Sequence, residues 1–206
     1  MDASSNHRGW AERTGEFSPA YYAELGPNKV SKSLVTLLDH YTSKGASILE
    51  VGCSSGRHLA HLHENGFENL TGIDINAQSF TVMADVYPAL ADAGTFYTAA
   101  IEDFVPDVAD ASFDAVYSVE TLQHVHPDTE WVFDDLVRIT SDLLVTIENE
   151  GPGRDDPAET VVFDTGQFPL YCRNWNHVFT TRGLCERLCH PSRPDTIRAF
   201  GRSDTE

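Results

Sequence analysis

The sequence predicts a doubly wound α/β domain: a mostly parallel sheet with helices on both faces. Three observations carry that expectation. Short apolar runs alternate with stretches of helical periodicity through residues 46–149, the first of these runs ends in a turn of small residues at a helix start, and 206 residues suit one domain of this class. Chain direction and right-handed crossovers then place helices on both sides of the sheet.

The elements follow in order. Residues 47–51, Ser-Ile-Leu-Glu-Val, read as a strand, and Gly52 opens a turn into a helix whose Leu59 and Leu62 recur at helical spacing up to Gly66. A second strand over 70–73 ends in Asp74. The helix over 77–86 stops before Pro88, because the residue preceding proline resists the α region. Residues 95–99, 113–119 and 143–147 are further strands. Between the last two lies an amphipathic helix over 129–139, with Trp131, Phe133, Leu136 and Val137 apolar, begun by His126-Pro127 and capped by Asp128.

The flanks are less regular. A leader, residues 1–28, carries Trp10, Phe17, Tyr21 and Tyr22 in polar sequence and closes at Gly26-Pro27 before a helix over 30–41. Those aromatics either pack on the sheet edge or form a lid that excludes water from a ligand. Glycines and prolines after Glu150 predict mostly loop over 150–176, then a last helix over 178–189 and a last strand over 196–200. The whole is expected to be a single domain over 1–206: an N-terminal cap (1–45), a ligand-binding core (46–149) and a tail (150–206).

Composition excludes several classes. With 41% hydrophobic and 22% charged residues the chain is globular, and 32 acidic against 14 basic side chains leave a net charge of -18. A field of that sign repels nucleic acid and anionic lipid. No run approaches eighteen apolar residues and no apolar segment marks residues 1–30, so a cytoplasmic protein is expected, without a membrane partner. Four cysteines are too few for a secreted disulfide framework. Cys185 and Cys189, with His190 and Cys172 near them, raise a zinc site, but two cysteines four apart on an apolar helix face are more simply core fillers. His58, His61 and His63 lack a completing carboxylate. No metal is expected.

The chemistry centres on Ile48-Leu49-Glu50-Val51-Gly52-Cys53-Ser54-Ser55-Gly56-Arg57. Glycines here let the backbone approach a ligand, and the helix start behind them offers unpaired amides. A Rossmann-like dinucleotide turn requires G-x-G-x-x-G, and that spacing is missing. Glu50, just before the first glycine, repels a pyrophosphate but suits a ligand carrying an ammonium and a sulfonium. Asp74, at the end of the second strand, stands where a carboxylate accepts bonds from ribose hydroxyls.

Through Glu50-Val51-Gly52-Cys53-Ser54-Ser55-Gly56, Gly72-Ile73-Asp74-Ile75-Asn76 and Phe113-Asp114-Ala115-Val116-Tyr117-Ser118, the sequence resembles class I S-adenosylmethionine-dependent methyltransferases over about residues 46–148. The resemblance implies the class I methyltransferase fold and S-adenosyl-L-methionine as cofactor. It implies that the turn Gly52 to Gly56, with Cys53 and Ser54, wraps the methionine end, and that Asp74 with Ile75 holds the ribose. Ser118 and Val119 would line the methyl-donor pocket. Many members place an aspartate on the adenine amino group where this chain has Ala100-Ile101-Glu102-Asp103, so adenine falls to Ile101 or Glu102.

Methyl transfer from a sulfonium is an in-line displacement, so such an enzyme chiefly aligns nucleophile and methyl and excludes water. A base is needed for a protonated nucleophile, and Glu120 and His124 follow the fourth strand. His124 is the preferred base; the alternative is a structural histidine bonded to backbone. Arg57 reads as a ligand for the cofactor carboxylate or a substrate anion, or as solvated. The Asn/Asp-Pro-Pro-aromatic tetrad that holds planar amides in related enzymes is replaced by Ser118-Val119-Glu120-Thr121, leaving an O or N atom of a small polar metabolite as acceptor. Tyr21, Tyr22, Arg173 and Trp175 are its expected contacts, with Trp175 alternatively a core anchor. Two other classes stay open: an NAD(P)-dependent oxidoreductase, and a regulatory protein that binds S-adenosylmethionine without catalysis.

The acid is unevenly spread, with 7 basic and 24 acidic side chains giving -17 in residues 1–150, and 7 and 8 giving -1 in residues 151–206. Scarce lysine and a carboxylate-rich surface point to a halophilic protein, because about 1 M salt screens self-repulsion within about 3 Å. The expected outcome is a thermal midpoint that rises in molar KCl; a midpoint indifferent to added salt contradicts it.

Overall fold

The computed structural model describes residues 2–152, 156–164 and 168–202. The leader forms α1 (Ala3–Ala11) and α2 (Pro19–Leu25), and α3 (Lys29–Tyr41) follows. Side-chain oxygens of Asp2, Ser18 and Asn28 cap the three N-termini by accepting backbone N–H groups.

The alternating middle is β1 (Ser47–Val51), α4 (Arg57–Glu64), β2 (Asn69–Asp74), α5 (Gln78–Val86), α6 (Pro88–Ala93), β3 (Thr95–Thr98), α7 (Ile101–Phe104), β4 (Phe113–Val119), α8 (Val132–Ile139) and β5 (Thr140–Asn149). Beyond it come a hairpin of β6 (Val161–Asp164) and β7 (Pro169–Cys172), then α9 (Trp175–Thr180), β8 (Leu184–Ser192) and β9 (Asp195–Arg202).

Seven strands make one sheet in the order β3-β2-β1-β4-β5-β9-β8, parallel except that β9 runs antiparallel to both neighbours. Side chains alternate across it. In β1, Ile48 enters a core layer with Leu34, Leu38, Leu59 and Phe67, while Leu49 and Val51 enter the opposite layer with Phe133, Leu136, Trp175 and Phe200. Because β1 is followed by β2 on one side and flanked by β4 on the other, chain connections diverge at their carboxyl ends. A crevice opens there, the usual ligand position of such sheets.

Several expectations are corrected. Residues 150–176 are more regular than expected, since among the described ones they hold β6, β7 and the start of α9. The last helix is α9, which ends at Thr180. Gly183, at φ +89°, turns the chain into β8, so residues 184–189 are an edge strand with Cys185 and Cys189 exposed on it. A four-residue spacing of Leu184/Leu188 and Cys185/Cys189 fits the helical period and is also a multiple of two, so it cannot distinguish helix from strand. Among the described residues, no three His, Cys, Asp or Glu side chains gather as a metal site. The helix expected from residue 129 begins at Val132. A short 3₁₀ turn over Pro127–Thr129 precedes it, capped by His126 accepting from the Asp128 N–H at 3.2 Å rather than by Asp128. Pro88 does not simply end a helix; it starts α6 at a position where no N–H is needed.

Trp175 is fully buried and meets Phe133 edge to face at 5.5 Å. Trp175→Ala is therefore expected to cost about 3–5 kcal/mol of unfolding free energy, read from urea denaturation.

Candidate functional site

The parallel register sets Val51 beside both Ile73 and Ser118, so the ends of β1, β2 and β4 meet at the crevice. The turn after β1 is stitched to β2. Amides of Gly52 and Cys53 both donate to the Ile73 carbonyl at 2.9 Å, and the Ser54 amide donates to Asp74 Oδ2 at 2.8 Å. Gly52 has φ +72°, and a Cβ there would lie 2.2 Å from Thr121 Oγ1. Ser54 holds φ +49°, a conformation that favours glycine.

Around this turn lies a cleft that, with its open mouth, spans about 1040 Å³. Its floor is the turn with Glu50, Asp74 and Ile75. One wall is Ile101 and Glu102 after β3, another is Val119 to Thr121, His124 and Val125 after β4, and the roof is the leader.

Two carboxylates set its electrostatics. Glu50 is 1% exposed and accepts from the Tyr117 hydroxyl at 3.0 Å. Burial pushes its pKa up to about 8, with Tyr117 and the nearby Arg57 guanidinium pulling the other way. Arg57, also buried, lies over the Tyr22 ring at 4.8 Å. Asp74 is raised by burial against the pull of the Asn76 and Ser54 amides and the Ser79 hydroxyl, at 2.8, 2.8 and 2.9 Å.

Residues 49–142 match the family model described as a methyltransferase domain. An O-methyltransferase of Pyrenophora dematioidea is 25% identical over 168 residues, which is 81% of this chain and 58% of that protein. The 1,6-didemethyltoxoflavin N1-methyltransferase of Burkholderia thailandensis, solved with S-adenosylhomocysteine, superposes with a TM-score of 0.68 at 13% identity over 85% of this chain and 78% of its own. The magnesium protoporphyrin IX methyltransferase of Synechocystis, solved with S-adenosylmethionine, gives 0.66 at 15% identity over 98% and 92%. Residues 49–142 thus match a methyltransferase domain, and the fold is the one these S-adenosylmethionine-dependent methyltransferases share.

The methyltransferase fold brings most of the expected site residues together: Glu50, Gly52, Cys53, Ser54, Asp74, Ile75, Ile101, Glu102, Val119, Glu120, His124 and Tyr22 all line the cleft. Five expected residues lie elsewhere. Gly56 sits under the turn, where a Cβ would strike Met83 at 2.6 Å. Ser118 is turned away, its hydroxyl donating to Glu148. Tyr21 packs edge-on against Phe17 and Tyr22. Arg173 is 2% exposed and uses its guanidinium on Glu130 Oε1, the Tyr171 carbonyl and the Val125 carbonyl, at 2.7, 2.9 and 2.8 Å. Trp175 is core. The donors and rings of residues 171–177 thus knit the tail to α8 and the loop before it rather than facing a ligand.

His58, buried against Ser31 Oγ at 2.9 Å and pushed down to about 3 by burial, is a neutral packing histidine at the cleft edge. His124 is likewise pushed down to about 4 by burial, and its Nδ1 lies 3.3 Å from the Pro169 carbonyl. A carbonyl only accepts, so Nδ1 carries the proton and Nε2 keeps its lone pair.

Two residues went unread in the sequence. Asn6 enters the cleft from α1, beside Trp10, one of the leader aromatics for which a lid was an expected role. Glu148, at the end of β5, accepts from the amides of Thr121, Leu122 and Gln123 at 3.1, 3.0 and 3.2 Å and from the Ser118 hydroxyl. A carboxylate inside the apolar run Leu-Leu-Val-Thr-Ile-Glu-Asn was the available signal for it, since buried acids need partners.

In the ligand-free chain Glu50 holds a proton up to about pH 8 that the unfolded chain loses near 4.5. Folding stability from this group is therefore highest below 4.5 and is lost as pH rises through that window. Glu50→Gln is expected to flatten the decline in unfolding free energy between pH 5 and 8; an unchanged slope contradicts the assignment.

Proposed function

We propose that the chain binds S-adenosyl-L-methionine in this cleft and transfers its methyl group to an oxygen of a small molecule. The observation that carries the reading is the pairing of Glu50 and Arg57 at a glycine turn. A buried carboxylate and a buried guanidinium within electrostatic reach of one another match the ammonium and carboxylate of an amino-acid end.

Raised to about 8, Glu50 is short of positive charge, and an ammonium beside it stabilises its ionised form. Arg57 takes the carboxylate. Asp74 already accepts three bonds on its two oxygens, leaving a lone pair on Oδ2 for a ribose hydroxyl. Ile101 and Glu102 flank the adenine. The sulfonium supplies an activated methyl group.

The protein's work is then alignment and dryness. The roof of α1 and α2 would exclude water, and His124, neutral at pH 7, would receive on Nε2 the proton that an acceptor hydroxyl gives up on methylation. Glu120, held at φ +51° in the wall, is the second polar group near that path. An oxygen acceptor follows from the O-methyltransferase relative, and a small one from the net charge of -18, which disfavours nucleic acid.

Calorimetry is expected to show micromolar binding of S-adenosylmethionine or S-adenosylhomocysteine and none of NAD(P); the reverse pattern ends the reading. Turnover of a metabolite panel separates enzyme from silent binder. In that assay His124→Ala should lower kcat about 100-fold with S-adenosylhomocysteine affinity kept.

A further inference from the structure

The roof of the cleft carries two buried polar atoms that have no hydrogen-bond partner among the described residues. Asn6, 2% exposed and in the cleft lining, donates its Nδ2 to the His124 carbonyl at 2.8 Å. That partner can only accept, so the amide orientation is determined and Oδ1 is the atom left over. Oδ1 is buried without a hydrogen-bond partner, and so is the indole Nε1 of Trp10, which also lines the cleft. Buried polar atoms without partners are rare because each forfeits its hydration. Asn6 and Trp10 are four apart on α1, so they sit on one face of the helix about 5–6 Å apart at their Cβ atoms.

The helix bearing them is anchored on three sides. His7 Nε2 lies 3.0 Å from Glu102 Oε1, the Asn76 side chain donates to the carbonyls of Trp10 and Arg13 at 3.2 and 3.1 Å, and Gly9 lies so close to Phe168 that a Cβ would come within 2.4 Å of it. The acceptor and the donor are therefore presented in fixed positions. Their surroundings are flat: the Trp10 ring stacks on Phe168 at 4.3 Å and meets the neutral His124 ring at 4.6 Å, with Val125 beside them in the lining and the Arg13 guanidinium over the Phe168 ring at 5.3 Å.

We propose that α1 recognises the methyl acceptor, and that the acceptor is a planar aromatic with two ring oxygens, one a hydroxyl donating to Asn6 Oδ1 and the other accepting from Trp10 Nε1. This rests on the cleft being the methyltransferase site described above. A paired donor and acceptor on one helix face read two oxygens of one ring, and stacked rings around them select a flat molecule over a puckered one. The second oxygen gives a site built to hydrogen-bond a reason to reject analogues that lack it.

Binding to the full chain saturated with S-adenosylhomocysteine tests this with resorcinol, 1,3-dimethoxybenzene, which offers no donor, and cyclohexane-1,3-diol, which is not planar. Resorcinol is expected to bind at least tenfold tighter than either. Trp10→Phe, which keeps a ring and removes the N–H, is expected to weaken resorcinol five- to tenfold while S-adenosylhomocysteine affinity stays within threefold. Equal binding of the three probes, or an unaltered affinity in Trp10→Phe, overturns the inference. The probe comparison on the unmodified chain decides it alone if the variant does not fold. Failure to bind S-adenosylhomocysteine at all overturns the methyltransferase reading instead.

Discussion

The cleft depends on one buried carboxylate at the end of β5. Glu148 is fully buried, and burial raises it to about 7 against the pull of the Ser118 hydroxyl and three successive amides. Three consecutive N–H groups pointing at one side chain fix the path of the chain after β4 as it enters the short 3₁₀ turn Leu122–His124. That path presses Thr121 onto Gly52, lends Glu120 and Val119 to the wall and delivers His124 to Asn6 and Pro169. Gln123 reinforces it by accepting from the Asn149 amide at 2.9 Å.

Charge inside the cleft is arranged more sparingly than the overall composition implies. Of the 24 acids in residues 1–150, the cleft lining takes only Glu50, Asp74, Glu102 and Glu120. The two most consequential, Glu50 and Asp74, are those whose surroundings raise their pKa, and elevated carboxylates in a cleft mark a ligand site better than acid content does. Apart from the buried Glu148, the remainder faces solvent or pairs with arginine, as Asp135 does with Arg138 at 2.7 Å.

The leader joins the sheet and the site. Its residues line the cleft, and its own helix carries into that lining polar groups that have no hydrogen-bond partner among the described residues. The tail, expected to touch the acceptor, instead braces the structure. Arg173 bridges Val125, Tyr171 and Glu130, and Trp175 fills the layer under β5, while Phe168 backs Trp10 from behind.

What the sequence alone determined was local: the strand-turn-helix at Glu50 to Arg57, the second strand ending in Asp74, and the fourth strand over 113–119 emerge at the places read from apolar runs and glycines, because backbone conformation there is imposed by neighbouring residues. The two carboxylates of the floor were legible for the same reason. Tertiary structure decided everything that depends on which segments meet. Residues 184–189 became an edge strand because β9 was available to pair with them, where their spacing fits helix and strand alike. Arg173 and Trp175 turned inward because the tail packs on α8, and Asn6 and Trp10, more than a hundred residues from His124, reached the cleft because α1 folds back over it. A one-dimensional pattern records period and polarity; it does not record which distant carbonyl will take up one half of an asparagine and leave the other half buried in the lining of a cleft.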